Sequence, residues 1–355
     1  MQNTANSSLS LHSYSSAMEA DFDFNSLEYT AFYDLYGRSA FQHPIWLSNF
    51  YKTIVPNRSA QPVIITIRQS DGLLNAVIPM LLREKLGVKL LEPAELGVTD
   101  YCAPLVNPDV LKDDDFKAQI RLLHSDILPS HDVLRIQKIR SEDLDLWQAL
   151  FNFPHVQQDF SAHATPLADS HASWSSTELS SSMRKSLRRK RNKFERETDA
   201  KCEQVAFEDI HKAMDELQNY RKGRFEGDLI QSEAGLEFYK HIAADGHKSG
   251  YARIYRLSLG DEVLGYTFGV THKGIFYYLL IGCDYDNFGK FSPGYLMYDY
   301  MIEDWINRGG DTFDFTIGDE EFKENFGTKP TKMFSISHGQ TMLGKVGLFA
   351  LSRSK

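Results

Sequence analysis

Residues 284–294 form a polar, glycine-bearing loop whose position could hold a phosphate group. The loop follows a run of β-branched and aromatic residues at 275–283, which predicts a strand, and leads into residues 295–308, whose apolar positions recur at helical spacing. The first N–H groups of a helix have no partner within the helix and therefore attract anions. The order strand, loop, helix thus indicates a pyrophosphate site.

Four residues of this loop are predicted to bind the ligand. Gly289 and Gly294 would let it approach the backbone closely, and Lys290 and Ser292 would contact its phosphates. The same sequence also suits an ordinary helix start, with Ser292 as the N-cap and Pro293 at the first helical position. Both interpretations can hold together, although Pro293 supplies no N–H group.

Asp314 lies in a second predicted strand, at residues 312–317. Because strand side chains alternate, Phe313 and Phe315 share one face and Asp314 lies on the other. A buried carboxylate whose pKa is raised by burial could take a proton from an acceptor amine. The alternative is an ion pair with Lys323 or with an arginine, which would lower that pKa instead. We predict Asp314 as a catalytic base.

Residues 184–193 form the densest positive run in an acidic protein of net charge -9. The run is predicted to be a helix, so only part of it can face any one partner. A solvated helix is the ordinary explanation of such a run. Its density favours an anionic substrate instead, with Arg184, Arg188 and Arg189 as the predicted substrate-binding residues.

The second half of the sequence resembles the CelD-like acetyltransferases of cellulose biosynthesis, a family within the GNAT superfamily and related to the FemAB-like transferases. The resemblance rests on the matching segments SMRKSLRR at 182–189, FSPGYL at 291–296 and FDFTIGDEEFK at 313–323, and more weakly on FQHPIWL at 41–47 and LGVTDY at 96–101. It implies an α+β, GNAT-like fold, with two GNAT-like lobes of mixed sheets flanked by helices.

The resemblance also assigns chemistry to particular residues. It implies acetyl-CoA or a longer acyl-CoA as the donor, held at the 289–294 loop. GNAT loops usually carry Gln or Arg and Gly where this chain has Gly289 and Ser292. Tyr295 or Tyr298 would protonate the departing thiolate, and packing is the alternative role of either. Lys323, at a matching position, would hold a phosphate or carboxylate, whereas a solvated or ion-paired lysine is the alternative.

Composition narrows the class of protein. The acidic pI of about 5.8 argues against a general nucleic-acid binder, so DNA is not an expected partner. The three cysteines are far apart, and no histidine shows zinc-binding spacing, so we expect reduced thiols in a cytoplasmic protein and no metal. Residues 1–10 lack the pattern of a secretory signal, and no stretch reaches the roughly 18 apolar residues of a spanning helix.

The chain is predicted to contain two lobes. We expect a disordered N-terminus at 1–20, a GNAT-like lobe at 21–160, a serine-rich linker at 161–182 and the acetyltransferase lobe at 183–355. The first lobe should contain a hairpin that turns at Asp71-Gly72. The second should contain an antiparallel meander of three strands that turns at Gly260-Asp261 and Lys273-Gly274.

These observations predict an N-acyltransferase that moves an acyl group from acyl-CoA to an amine. The resemblance implies a glycan or lipid-linked acceptor in polysaccharide or cell-envelope biosynthesis. One alternative is a FemAB-like transferase that takes an aminoacyl group from tRNA, with the basic run binding the tRNA. Another is a non-catalytic GNAT-like scaffold.

Overall fold

A computed structural model of the protein describes residues 8–11 and 13–353. The chain divides into two compact units, one of Met1–Asp159 with Lys332–Lys355 and one of Phe160–Thr331. We refer to them as unit 1 and unit 2.

Both units combine β-sheet with α-helices. The strands of the described residues are β1 (Ser8–Leu11), β2 (Tyr14–Met18), β3 (Ala60–Gln69), β4 (Leu74–Lys85), β5 (Val88–Pro93), β6 (Leu105–Val106), β7 (Val133–Arg140), β8 (His155–Pro166), β9 (Ala200–Gln204), β10 (Ala252–Leu259), β11 (Glu262–His272), β12 (Ile275–Cys283), β13 (Thr312–Ile317) and β14 (Lys329–Gly339). The α-helices are α1 (Leu27–Tyr36), α2 (Pro44–Asn49), α3 (Asp114–Leu122), α4 (Leu144–Leu150), α5 (His171–Glu178), α6 (Ser181–Phe194), α7 (Ile210–Arg221), α8 (Glu233–His247), α9 (Tyr285–Phe288), α10 (Pro293–Asn307), α11 (Glu321–Glu324) and α12 (Met342–Arg353).

Unit 1 contains strands in the spatial order β1, β2, β3, β4, β5, β7 and β14, with the short β6 beside β4. The predicted hairpin is confirmed as β3 and β4, which pair from Ala60↔Arg83 to Arg68↔Leu74. Gly72 in its turn has a φ of 91°, a backbone conformation that glycine adopts without steric cost. Strand residues and α3 share one apolar core, which includes Ile65, Ile78 and Phe116.

The ends of the chain differ from the predicted organisation. Strand β14 pairs with β7 and buries Met333 and Ile336, so residues 332–355 group with unit 1 instead of ending the second lobe. Strand β2 pairs with β3 and buries Tyr14, so residues 14–18 are ordered where disorder was predicted. The part of that prediction at residues 1–7 and 12 lies outside the described residues.

Unit 2 contains strands in the order β8, β13, β12, β11, β10 and β9. The predicted meander is confirmed as β10, β11 and β12, which pair antiparallel in succession. Strand β13 then pairs parallel with β12, because α10 carries the chain back to the same end of the sheet. Residues of α5, α6 and α10 pack with strand residues into a second core that includes Trp174, Leu187, Met297 and Phe313.

Residues 161–182 are folded structure, contrary to the predicted linker. They contain the end of β8 and all of α5. Within α5, the Trp174 side chain is fully buried and its indole N–H donates to Thr165 Oγ1 at 3.2 Å. The many serines of this segment obscure the buried Trp174 that anchors it.

Replacing Trp174 with alanine should therefore destabilise the protein by roughly 3–5 kcal/mol, the usual loss when a large buried aromatic side chain is removed. Chemical denaturation followed by circular dichroism would measure the loss. Ser176→Ala, an exposed change on the same helix, should leave stability unchanged. A Trp174→Ala protein as stable as the native one would contradict the anchoring role of Trp174 and favour the predicted linker.

None of the helices in the described residues has both the length and the hydropathy needed to cross a bilayer.

Candidate active site

Strands β12 and β13 separate at the centre of unit 2. They pair only at Ile275↔Thr312, Phe276↔Phe313 and Tyr277↔Asp314 within the described chain, although β12 continues to Cys283 and β13 to Ile317. Both strands also show a register irregularity with their other neighbours beyond this point. We call the opening between residues 278–283 and 315–317 the strand fork.

Aromatic side chains fill the strand fork. Tyr298 on α10 donates its hydroxyl hydrogen bond to the Tyr278 hydroxyl at 3.0 Å, and the Phe322 ring stacks on Tyr298 at a centroid distance of 5.3 Å. Burial raises the pKa of both tyrosines well above the ordinary value. Both phenols are therefore neutral near pH 7, so they can donate a proton but cannot act as bases. The predicted proton donor Tyr298 thus lies in the fork.

Asp314 lies where the two strands part. Phe313 and Phe315 belong to the core shared with α10, and strand alternation turns Asp314 to the other face, as predicted. The Asp314 carboxylate is 6% exposed and accepts a hydrogen bond from the Thr316 N–H at 2.7 Å. Thr316 has a φ of 57°, which is costly for a β-branched residue. Asp314 therefore stabilises the bend of β13 at the mouth of the fork.

Lys323 closes the turn that follows β13. Its ammonium group donates to Ile317 O at 2.7 Å and to Gly318 O at 2.9 Å, and it pairs with Glu320 at 2.9 Å. The lysine side chain is buried, so the solvated alternative is wrong. An ammonium has only three N–H donors, and these three contacts use all of them. The lysine is therefore best explained as a structural ion pair.

Ser292 connects the loop to α10 in an unusual backbone conformation. Its φ of 57° and ψ of 59° are left-handed, and its side chain caps no N–H of the helix, so the predicted N-cap hydrogen bond is absent there. Pro293 does begin the helix, as expected. The Ser292 hydroxyl instead accepts a hydrogen bond from Lys190 Nζ at 2.6 Å. A non-glycine residue held in this conformation often marks a functional site.

The two predicted glycines have different surroundings. A Cβ added to Gly294 would lie 2.7 Å from the Tyr285 hydroxyl, so a neighbouring side chain makes the close approach there. A Cβ added to Gly289 would meet no described atom within 4 Å, so that backbone faces open space.

Helix α6 brings two further lysines to this loop. Neither was among the site residues predicted from the sequence. Lys193 Nζ donates to Lys290 O at 2.9 Å, and Lys190 contacts Ser292. The predicted ligand Lys290 lies over the Phe291 ring, at 4.9 Å from its centroid. We call Lys190 and Lys193 the lysine flank. Their spacing of three residues places them on one side of a helix, which is the signal that could have found them.

The predicted arginines lie on other sides of α6. Arg184 and Arg188, together with Arg191, line a cavity of about 490 Å³ beside α5. We call these three residues the arginine flank. Arg189 is exposed and is not among the residues lining this cavity, so the structure brings together only two of the three predicted substrate-binding residues.

His163 also lies near the predicted catalytic residues. Strand β8 pairs with β13, which places His163 Nε2 2.7 Å from Asp319 Oδ1 in the turn closed by Lys323. This hydrogen bond lowers the pKa of Asp319. No local pattern links residues 156 positions apart, so only the fold could reveal the pair. Among the described residues, no group of three or more histidine, cysteine or carboxylate side chains could hold a metal ion.

Residues 181–324, which lie within unit 2, match the family model of the acetyltransferase (GNAT) domain. The α+β, GNAT-like fold predicted from the sequence is confirmed. No curated protein matches the sequence.

Solved structures extend the similarity across both units. FemX is 15% identical with a TM-score of 0.61, over 86% of this chain and 94% of that one. L-PGS from Bacillus licheniformis is 15% identical with a TM-score of 0.58, over 94% and 98%. The C-terminal domain of a putative lysylphosphatidylglycerol synthetase from Agrobacterium fabrum is 10% identical with a TM-score of 0.55, over 91% and 94%. At these identities the likeness concerns the fold.

Proposed function

We propose that the protein is a cytoplasmic N-acyltransferase that moves an acyl group from acyl-CoA to an amine acceptor in polysaccharide or cell-envelope biosynthesis. The observation that supports it most is the strand fork beside a loop that enters a helix and is bordered by the lysine flank. Beyond Tyr277 and Asp314 the two parallel strands no longer pair with each other, so they separate where a donor would lie, and the loop offers positive charge to the donor's phosphates.

The residues of the loop suit the phosphates of a coenzyme A thioester. Lys190, Lys193 and Lys290 bring three ammonium groups to the first turn of α10, and no carboxylate pairs with them in the described chain. The pKa of Lys190 is lowered, first by burial and then by Arg189 and Lys193, so a bound anion would relieve repulsion that exists without it.

The residues of the fork suit the two proton transfers of acyl transfer. Attack of the amine on the thioester carbonyl forms a C–N bond and breaks the C–S bond. Asp314 would accept the proton lost by the amine, directly or through water, and Tyr298 would protonate the departing thiolate. Lys323 would hold the turn beside them, with the acceptor's own anionic group as its alternative partner.

Similarity to other proteins supports the envelope acceptor. Its support is the CelD-like sequence resemblance and the names of the fold neighbours, one of which is a putative synthetase of a modified phospholipid. A transferase that takes its aminoacyl group from tRNA is the second candidate, favoured by the density of positive charge on α6. Mass spectrometry of ligands that co-purify with the protein would separate the two donors.

Replacing Gly294 with valine should abolish acyl-CoA binding, because the added methyl groups would meet the Tyr285 hydroxyl and shift the first N–H groups of α10. Isothermal titration calorimetry with acetyl-CoA would measure the loss, which we expect to exceed about 100-fold, the worth of two or more charge-assisted hydrogen bonds. The fold should survive, because the nearest atom is the movable Tyr285 hydroxyl.

Tyr285→Phe is the matched control, since it removes that hydroxyl and adds no bulk, and it should bind acetyl-CoA like the native protein. A native protein that binds no acyl-CoA, or a Gly294→Val protein that binds it normally, would contradict the proposed donor site.

A further inference from the structure

The cavity beside α5 is a second positively charged site, separate from the loop at the start of α10. Its lining carries four cationic side chains, those of the arginine flank and of Lys185, and a single acidic one, that of Asp299. At about 490 Å³ it has the size of a small-molecule site.

The single acid of this cavity already has hydrogen-bond partners. Asp299 is 2% exposed and accepts hydrogen bonds from His171 Nε2 at 2.8 Å and from Arg191 Nη1 at 3.1 Å. Arg191 is further paired with Glu195 and Glu303. The single positive charge of Arg191 is therefore shared by three carboxylates, so Arg191 is not available to a bound anion.

The remaining cations of the cavity lack acidic partners. Arg184 donates to the Ser176 carbonyl at 2.7 Å, and neither Arg188 nor Lys185 forms an ion pair with any described residue. Arg184 and Arg188 are four residues apart on α6, where like charges repel and weaken the helix. An anion that bridges Arg184 and Arg188 would relieve this repulsion.

The chemistry of the site favours phosphate. Guanidinium groups present paired N–H donors that match phosphate oxygens. Two guanidinium groups one helical turn apart can each bind one phosphate of a diphosphate. The hydroxyl-bearing residues Ser175 and Ser181 also line the cavity. Ser181 begins α6, so the positive end of the helix dipole adds to the attraction.

The arginine and lysine flanks of α6 serve different places. The buried stripe of Met183, Leu187 and Phe194 separates them, so the helix is anchored in the core between the flanks. A single phosphate group cannot contact both flanks across packed side chains.

We propose that the cavity beside α5 binds the phosphate or diphosphate group of the acceptor, which makes the acceptor a phosphorylated molecule, either nucleotide-linked or lipid-linked. The identity of the ligand as the acceptor rests on the proposed acyltransferase function, but the site itself does not.

Calorimetric titration with inorganic pyrophosphate tests the site directly. In a Lys190→Glu, Lys193→Glu protein, whose loop at the start of α10 no longer attracts the anion, pyrophosphate should still bind, and adding Arg188→Glu should weaken this binding by at least about tenfold, the worth of one charge-assisted contact. Arg188→Lys keeps the charge but loses the paired donors. Its pyrophosphate affinity should therefore lie between the affinities measured with and without Arg188→Glu. Arg196→Glu, the same charge reversal at an exposed position outside the cavity, should bind like the native protein.

Acetyl-CoA titrated into the same variants separates this proposal from the proposed function. Arg188→Glu should keep native acetyl-CoA affinity. Pyrophosphate binding without any acetyl-CoA binding would support the cavity as an anion site and would contradict acyl-CoA as the donor. A Lys190→Glu, Lys193→Glu protein that binds no pyrophosphate, or one that binds it equally well when Arg188→Glu is added, would overturn the site.

Two further titrations distinguish the source of the phosphate. Uridine diphosphate represents a nucleotide-linked acceptor, and phosphatidylcholine vesicles that contain a polyprenyl diphosphate represent a lipid-linked one. Either ligand, if its binding is lost in Arg188→Glu, supports the proposal and names the source. Binding of tRNA that is lost in this variant, with neither diphosphate bound, would overturn the proposal in favour of a nucleic-acid surface.

Discussion

Asp314→Asn should lower turnover by about 10²–10⁴-fold, the usual contribution of a general base. Asparagine keeps the shape of the side chain and an oxygen that can accept the hydrogen bond from the Thr316 N–H, so the bend of β13 should persist. Steady-state rates with acetyl-CoA and a model amine would measure the loss, and calorimetry should show nearly native acetyl-CoA affinity. The variant should also lose the acidic limb of the rate profile, because that limb reports protonation of the base.

Asp311→Asn is the matched control, because it makes the same chemical change three residues earlier, at an exposed position before β13. It should leave the rate and its pH profile unchanged. Native turnover with asparagine at 314 would exclude the carboxylate as the base. A variant that unfolds would show that Asp314 acts only by holding the bend, in which case Asp314→Glu should fail to restore activity.

Reversing both charges of the lysine flank, with Lys190→Glu and Lys193→Glu, should weaken acetyl-CoA binding by at least about 100-fold. Each ammonium group would lose a contact to a phosphate worth roughly tenfold, and each new carboxylate would repel the ligand. Raising the salt concentration should weaken binding to the native protein in the same direction, because charges near the surface are screened. Calorimetry at two ionic strengths would measure both effects.

The pH dependence of the native protein provides an independent check. Only protonated lysine attracts phosphate, and the pKa of Lys190 is lowered by burial and by its basic neighbours. Acetyl-CoA affinity should therefore fall as the pH rises, starting at a lower pH than for an ordinary lysine. The matched control reverses Arg196 and Lys201, two exposed cations outside the loop, and should keep native affinity. Native affinity in the Lys190 and Lys193 variant would show that the loop does not hold the donor.

Much of unit 2 was predictable from local patterns. Runs of β-branched and aromatic residues, separated by turns at Gly260 and Gly274, predict the meander of β10 to β12 without knowledge of the fold. The pattern of residues 275–317 likewise predicts strand β12, a loop, helix α10 and strand β13 in that order. These elements carry their signals in neighbouring residues, so a sequence alone can show them.

The ends of the lobes were not predictable in this way. Strand β14 is chemically an ordinary strand, and only its pairing with β7 assigns residues 332–355 to unit 1. Similarly, α5 has a serine-rich surface and is held by the burial of Trp174. The positions of these elements depend on contacts between distant parts of the chain. Such contacts produce no periodic pattern in the sequence next to either partner.

The sequence by itself determined the chemistry available to this protein: a loop that enters a helix, a carboxylate on a following strand, and an unusually basic helix. The tertiary structure decided how these groups are arranged. It opened the fork beside Asp314, turned Lys190 and Lys193 toward Ser292, and turned Arg184 and Arg188 toward a separate cavity. A helix distributes its side chains around a cylinder, so which side meets which partner is settled only when the buried stripe finds its place in the core.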